Sequence, residues 1–80
     1  MTSNVGEYKT LLDALAAPEA AILVHDKVEC DRNGNSRARQ TVYASNGECL
    51  YTDGRERSYW YRTENARYAF EKRGGLVLSP

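Results

Sequence analysis

One histidine and two cysteines are the residues of this sequence with the most reactive side chains. His25 is followed by Asp26, but neighbouring side chains of a strand point to opposite faces, so the two cannot form a catalytic pair there. Cys30 and Cys49 stand far apart, with no further ligand at metal-binding spacing beside either one. We therefore expect a structural histidine, two reduced thiols and neither a metal nor a cofactor. The alternative is a disulfide or a metal shared by the two cysteines.

Two further patterns that could support catalysis are weak. A phosphate-binding loop would precede a helix, whereas the glycines after position 6 stand in turn-forming dipeptides or follow a predicted helix. The dipeptides are Asn33-Gly34, Asn46-Gly47 and Asp53-Gly54, and the later pair is Gly74-Gly75. Tyr61, Arg62 and Glu64 could support a nuclease, but such triples occur by chance in a segment rich in Arg and Tyr. The sequence therefore predicts a protein that is not an enzyme.

Basic side chains are interleaved with aromatic ones between residues 55 and 73. Arginines and flat aromatic rings can bind phosphates and stack on bases, and the same residue types dominate the contact energy of protein interfaces. This composition predicts a partner-binding surface but leaves protein and nucleic acid open as partners. The predicted contact residues are Arg55, Arg57, Tyr59, Trp60, Tyr61, Arg62 and Arg67.

Charge is distributed unevenly along the chain, although the formal net charge is zero. Acidic residues predominate in residues 1–31, whereas every arginine lies after position 31. Modules that bind nucleic acid are usually basic, so the zero net charge favours a protein partner. The acidic first third either keeps the protein soluble or meets a basic surface that normally receives nucleic acid.

The first predicted element is an amphipathic helix. Asn4 and Glu7 form a capping box, and the apolar residues after them recur at helical spacing until Pro18 ends the helix near residue 16 or 17. From residue 19 to residue 30 the apolar period changes to two, which predicts a strand.

The Asn-Gly and Asp-Gly dipeptides predict a meander of four antiparallel strands. After the first strand, we expect strands at residues 36–45, 48–52 and 55–62. Thr63 and Gly74 bound a second helix, which in an alternative interpretation extends back to Glu56. The apolar tail of residues 76–78 can add a short edge strand or dock on the core. The predicted fold is α+β: a four-stranded antiparallel meander flanked by an N-terminal and a C-terminal helix, in a single domain spanning residues 1–80.

Two-residue turns would fix the register of the strands. The first turn would place Val24 opposite Tyr43 and Val28 opposite Arg39. One face of the sheet would then carry Ile22, Val24, Val28, Tyr43, Leu50, Tyr59 and Tyr61, and the other Leu23, His25, Val42, Ala44, Cys49, Tyr51 and Trp60. Because both faces are partly apolar, we expect a helix on one and a partner, a second copy of the chain or the tail on the other.

Length and composition are those of a small globular protein. A chain of 80 residues buries roughly 60 to 65% of the surface of its unfolded form, so the core must be thin. No apolar run reaches the roughly 18 residues of a membrane span, and Met1 is not followed by a signal-like pattern. We expect a cytoplasmic protein that begins at its native residue and has no membrane partner.

Taken together, these features resemble, in general type, the small phage-encoded proteins that block bacterial defence, the anti-CRISPR proteins above all. The features are a chain of 80 residues from Met1, abundant Tyr and Arg, tight Asn-Gly and Asp-Gly turns, opposite charge in its two parts and no catalytic set. Anti-CRISPR proteins share no common motif, so the resemblance carries no residue role over to this chain. It implies a stoichiometric, non-catalytic inhibitor that occupies a nucleic-acid or nuclease-docking surface of a CRISPR-Cas effector complex in the cytoplasm of the host cell.

Overall fold

Strands and helices follow one another in the order α-β-β-β-α-α-β in a computed structural model that describes residues 8–28, 30, 32–34 and 36–79. The elements are α1 (Leu11–Ala16), β1 (Ala20–Val28), β2 (Arg37–Ala44), β3 (Cys49–Glu56), α2 (Arg57–Arg62), α3 (Glu64–Lys72) and β4 (Leu76–Leu78). The strands form one sheet in the order β3-β2-β1-β4, in which β1, β2 and β3 are antiparallel and β4 runs parallel to β1. The predicted α+β class is confirmed, and the number of strands agrees with the prediction. The sheet is mixed rather than an antiparallel meander, and the chain has three helices rather than two.

Helix α1 ends where the sequence predicts, but it begins later. Thr10 caps its start, since the Thr10 hydroxyl accepts a hydrogen bond from the backbone N–H of Asp13 at 3.1 Å. Tyr8, which fits the helical spacing, instead donates its backbone N–H to the carbonyl of Leu50 in β3. The predicted capping box at residues 4 and 7 lies outside the described residues.

The register between β1 and β2 differs from the predicted one by two residues. Val24 lies opposite Thr41 rather than Tyr43, and Val28 lies opposite Arg37 rather than Arg39. The connection between the two strands is longer than a two-residue turn, which moves every pair along by an even number of positions. Each residue from Ile22 to Val28 of β1, and each residue that pairs with it on β2, therefore keeps the face predicted for it, because side chains alternate with a period of two.

The turn between β2 and β3 contains Asn46-Gly47, as predicted. It has three residues rather than two, because the N–H of Ala44 donates to the carbonyl of Glu48 at 2.8 Å. Gly47 has a φ of 91°, which favours glycine, and the Asn46 side chain accepts a hydrogen bond from the N–H of Glu48 at 2.9 Å. A bulge follows, because Val42 pairs with Tyr51 while Tyr43 pairs with Cys49. Leu50 is the extra residue, and it is buried together with Tyr51. The prediction that these two lie on opposite faces is therefore wrong.

The predicted turn at Asp53-Gly54 and the predicted strand at residues 55–62 are also wrong. Strand β3 runs through both residues to Glu56 in continuous pairing with β2, and the φ of Gly54 is not positive. The chain then becomes helical from Arg57 to Lys72, with a break at Thr63, whose hydroxyl bonds to the carbonyls of Tyr59 and Trp60. The alternative interpretation, a helix reaching back towards Glu56, is closer to the structure. The fourth strand is the tail, at the edge of the sheet.

Helices cover one face of the sheet, which we call the covered face. The core between this face and the helices consists of Leu11, Ala14, Leu15, Ala17, Ala20, Leu23, Val42, Ala44, Leu50, Tyr51 and Phe70. Phe70 of α3 is its largest fully buried side chain. A Cβ atom at Gly75 would lie only 2.5 Å from the Phe70 ring, so the bend between α3 and β4 requires glycine for space rather than for φ.

Arg73, just after α3, ties the helices to the sheet. Its Nη2 donates to the carbonyls of Leu15 at 2.8 Å, Ala17 at 2.9 Å and Ala20 at 3.3 Å. These bonds satisfy carbonyls at the end of α1 and at the start of β1 that have few partners within their own elements.

The other face of the sheet, which we call the open face, has no helix packed on it among the described residues. It carries Ile22, Val24, Asp26, Arg37, Arg39, Thr41, Tyr43, Thr52, Leu76 and Leu78, as the strand pairing requires. Within the same part of the chain, no helix is long and apolar enough to cross a membrane.

Candidate partner-binding surfaces

The predicted contact residues lie mostly on α2 and α3, and only Arg55, at the end of β3, lies on the sheet. Arg55 belongs to β3, Arg67 to α3 and the others to α2. The side chain of Arg57 is outside the described part of the structure. The remaining six fall into two groups, those that pack against other residues of the chain and those that project into solvent.

Trp60 and Arg67 belong to the first group. The His25 ring stacks on the Trp60 ring, with centroids 3.8 Å apart and planes inclined by 10°, and the Arg67 guanidinium lies 3.6 Å from the Trp60 centroid. Two groups this close must occupy opposite faces of the indole. Arg67 also donates to the carbonyl of Trp60 at 2.6 Å, and it is only 7% exposed. Both indole faces are therefore already occupied within the chain.

Burial affects the charge of Arg67. Desolvation lowers the pKa of its guanidinium, and the nearby negative charge of Glu64 partly offsets that effect. A cation–π contact with the Trp60 ring stabilises this buried positive charge. We conclude that the stack of His25, Trp60 and Arg67 fixes α2 and α3 on the sheet.

Tyr59 is held between two arginines on the other side of α2. The Cζ of Arg55 lies 4.8 Å from the Tyr59 centroid and the Cζ of Arg62 lies 5.9 Å from it. Arg55 Nε also donates to Asp53 Oδ2 at 2.7 Å, and the Tyr51 hydroxyl donates to the same oxygen at 3.1 Å. Arg55 is thus fixed in position beside Tyr59 before any partner binds.

The acidic and phenolic groups of this cluster titrate unusually. Burial alone would raise the pKa of Asp53, but the hydrogen bonds from Arg55 and Tyr51 and the charge of Arg55 outweigh it, so the pKa lies below its usual value. Desolvation, followed by the hydrogen bond to Asp53 and its charge, raises the pKa of Tyr51 to about 12. The cluster therefore keeps Asp53 ionised and Tyr51 protonated over the whole physiological range.

The exposed side chains of α2 and α3 form a second group, which we call the helical surface: Tyr61, Arg62 and Tyr68. Tyr61 is 61% exposed and Tyr68 is 56% exposed. Tyr68 was not among the predicted contacts, although it lies in the interleaved basic and aromatic segment. Tyr61 and Arg62 keep the exposure that a contact residue needs.

The open face of the sheet is a further candidate surface, and sequence reasoning gave no contact residue on it. Ile22 pairs with Leu76 and Val24 pairs with Leu78, so the four apolar side chains share one half of this face with Tyr43, the partner of Ile22 on β2. Leu76 is 52% exposed and Leu78 is 45% exposed. An apolar patch next to polar residues is typical of an interaction site.

The other half of the open face is polar and ordered. Arg39 donates to the Thr52 hydroxyl at 3.4 Å, and the hydroxyls of Thr41 and Thr52 lie 3.1 Å apart. Arg37 donates to the carbonyl of Gly54 at 3.1 Å. These bonds hold both arginines along the sheet. Across the strands, Asp26 lies opposite Arg39 and Glu56 lies opposite Arg37.

A shallow apolar groove separates α1 from α3. It has a volume of about 220 Å³ and is lined by Leu12, Leu15, Ala16, Ala66, Ala69, Phe70 and Arg73. Arg73 contributes the polar end of the groove, but its guanidinium is committed to backbone carbonyls. The groove is thus poor in groups that could orient a small molecule.

Neither cysteine is bonded to the other, and both thiols are free. Cys30 is exposed, and its Sγ lies 3.9 Å from the Ser36 hydroxyl. Within the described ranges, no group of three or more His, Cys, Asp or Glu side chains could hold a metal ion. Comparisons of the chain with protein families, with curated proteins and with solved structures each found no match.

Proposed function

We propose that this protein is a non-enzymatic inhibitor of the anti-CRISPR type, which binds a CRISPR-Cas effector complex and occupies its nucleic-acid or nuclease-docking surface. The proposal joins the general resemblance of the sequence to one observation, the open face of the sheet. That face presents an apolar half and an arginine half side by side on paired strands. Such a surface can dock on a protein without any change in the fold.

The distribution of charge on the open face favours a protein as partner. Each of its arginines lies opposite a carboxylate on the neighbouring strand, Arg39 opposite Asp26 and Arg37 opposite Glu56. A surface that follows a phosphate backbone gains affinity from uncompensated positive charge, whereas mixed charge beside apolar side chains is typical of protein interfaces.

The aromatic side chains also support a protein partner over the alternative, a nucleic-acid-binding module. Base stacking needs a free ring face, but the faces of Trp60 lie against His25 and Arg67, and Tyr59 lies between two arginines. Of the predicted aromatic contacts, Tyr61 alone is mostly exposed. With Tyr68, which was not predicted, the helical surface has two exposed rings, which is a small stacking area for a strand of bases.

Binding to a panel of purified effector complexes, each assayed for target-DNA binding and cleavage, tests the proposal. We expect inhibition that saturates at a fixed stoichiometry, without change to the nucleic acid. Arg39→Ala and Tyr43→Ala should each weaken binding about tenfold or more, because side chains at the centre of an interface contribute most of its energy. Tyr61→Ala and Arg62→Ala test the helical surface in the same assay.

Arg32→Ala is the matched control, since Arg32 is an exposed arginine in the connection between β1 and β2. It should leave inhibition unchanged. Failure to bind any complex of the panel, or multiple turnover of a substrate, would contradict the proposal. Affinity for short DNA or RNA that falls steeply with salt would support the nucleic-acid-binding alternative instead, because phosphate contacts release counterions.

A further inference from the structure

The two edges of the sheet differ in how they are protected from pairing with another strand. The edge strand β3 carries the charged residues Asp53, Arg55 and Glu56, and the carbonyl of Leu50 near its start is bonded to Tyr8. Charged side chains and covering segments are the means by which proteins keep edge strands from associating. Strand β3 is therefore a protected edge.

The edge strand β4 lacks charged side chains, and only its short length limits association at this edge. Its three residues are Leu76, Val77 and Leu78, without a charge or a proline, and the residues on either side, Gly75 and Ser79, are uncharged. No strand pairs with its outer edge within the described residues. Exposed apolar edge strands are sites of association.

We infer that β4 pairs with β4 of a second copy of this chain, so that the protein forms a two-fold symmetric dimer through this edge. Antiparallel pairing about a two-fold axis at Val77 sets Leu76 of each copy opposite Leu78 of the other and Val77 opposite Val77. Every cross-strand pair of this interface is therefore apolar.

Pairing at this edge also extends the apolar half of the open face. Leu76 and Leu78 lie beside Ile22 and Val24 on that face, and the same residues of the second copy would continue the patch in one plane. The dimer would be a continuous sheet with both open faces on the same side. The zero formal net charge of the chain means that the two copies do not repel each other overall. This inference goes beyond the proposed function and does not depend on any inhibited complex.

The interface is small, because only three residues of each copy pair. It lies well below the roughly 1,000 Å² of a stable complex, so we expect a reversible dimer with a dissociation constant of about 10 to 100 µM. Sedimentation equilibrium of the purified protein should show a mass that rises with concentration from 9.0 kDa towards twice that value.

Lysine substitutions at the edge test the interface. Leu76→Lys and Leu78→Lys place a charge where a second strand would pair, and each should weaken the dimer at least tenfold while the far-ultraviolet circular dichroism stays unchanged. Leu12→Lys is the matched control, because Leu12 is 51% exposed on α1, away from the sheet. It should leave the dimer intact.

Tyr43→Lys separates the edge interface from a dimer in which two open faces pack on each other. Tyr43 lies on β2, two strands away from β4, so its charge should leave edge pairing intact but disrupt face-to-face packing. A dimer that dissociates in Tyr43→Lys overturns the inference, and so does a dimer that persists in both edge variants. A wild-type protein that remains monomeric at about 1 mM overturns it as well.

Discussion

The two faces of the central sheet are built from the same strands but differ in how deeply their side chains are buried. On the covered face, Leu23 and Val42 are completely buried under the helices, whereas the adjacent Ile22 and Val24 on the open face are half-buried. Burial of apolar surface is the main source of stability in a domain of this size. The covered face therefore contributes most of the stability of the sheet, and the open face contributes less.

The largest difference in stability between the two faces should come from replacing two leucines on neighbouring strands. Leu23→Ala should lower the free energy of unfolding by about 2 to 5 kcal/mol, because it leaves a cavity in the core. Leu78→Ala, on the open face, should lower it by less than about 1 kcal/mol, because solvent already contacts the side chain. Urea denaturation of both variants measures the difference. Equal losses of unfolding free energy would show that the two faces contribute equally to stability.

A second prediction concerns Tyr51 on the covered face, whose ionisation should make the stability of the fold depend on pH in the alkaline range. Its pKa is raised from 10.0 to about 12, so the unfolded chain loses this proton first. The free energy of unfolding should therefore fall as the pH rises from 10 to 12, by as much as about 2.7 kcal/mol. Below pH 10 this contribution is fully present.

Tyr51→Phe isolates that effect, because phenylalanine has no proton to lose. Urea denaturation at several pH values between 9 and 12 should show a steeper loss of stability in the wild type than in the variant. Parallel curves for the two proteins would mean that Tyr51 does not titrate as its surroundings indicate.

The smallest of the three contrasts compares two arginines. Arg73→Ala removes three hydrogen bonds to backbone carbonyls and should lower the free energy of unfolding by about 1.5 kcal/mol, the low end for charged donors, because Arg73 is itself exposed. Arg39→Ala removes one long bond on the open face and should cost less than about 0.5 kcal/mol. Thermal unfolding of both variants measures the two losses of unfolding free energy. A larger loss for Arg39→Ala than for Arg73→Ala would contradict the prediction.

The features that the sequence predicted correctly depend on residues that are close together in the chain. Pro18 marks the end of α1, Asn46-Gly47 forms the turn between β2 and β3, and the alternation of apolar residues defines β1. The segment after residue 54 was predicted wrongly because its aromatic residues suit a strand as well as a helix. Pairing of β3 with β2 through Gly54, and packing of Phe70 against the core, decide between the two.

The candidate surfaces were harder to predict than the fold. The sequence indicated Trp60 and Arg67 as contacts because their residue types suit interfaces, but their stack with His25 depends on bringing β1 and α2 together. The open face depends on the position of the tail strand beside β1, which places Leu76 and Leu78 next to apolar residues more than fifty positions earlier in the chain. No local pattern contains that information.

The close approach of Gly75 to Phe70 limits how this protein can evolve. Any side chain at position 75 would collide with the ring, and a smaller residue at position 70 would first leave a void at the centre of the molecule. A lineage could exchange both residues only by passing through a weakened intermediate. The bend that leads into the last strand should therefore vary more slowly over generations than the exposed turns elsewhere in the chain.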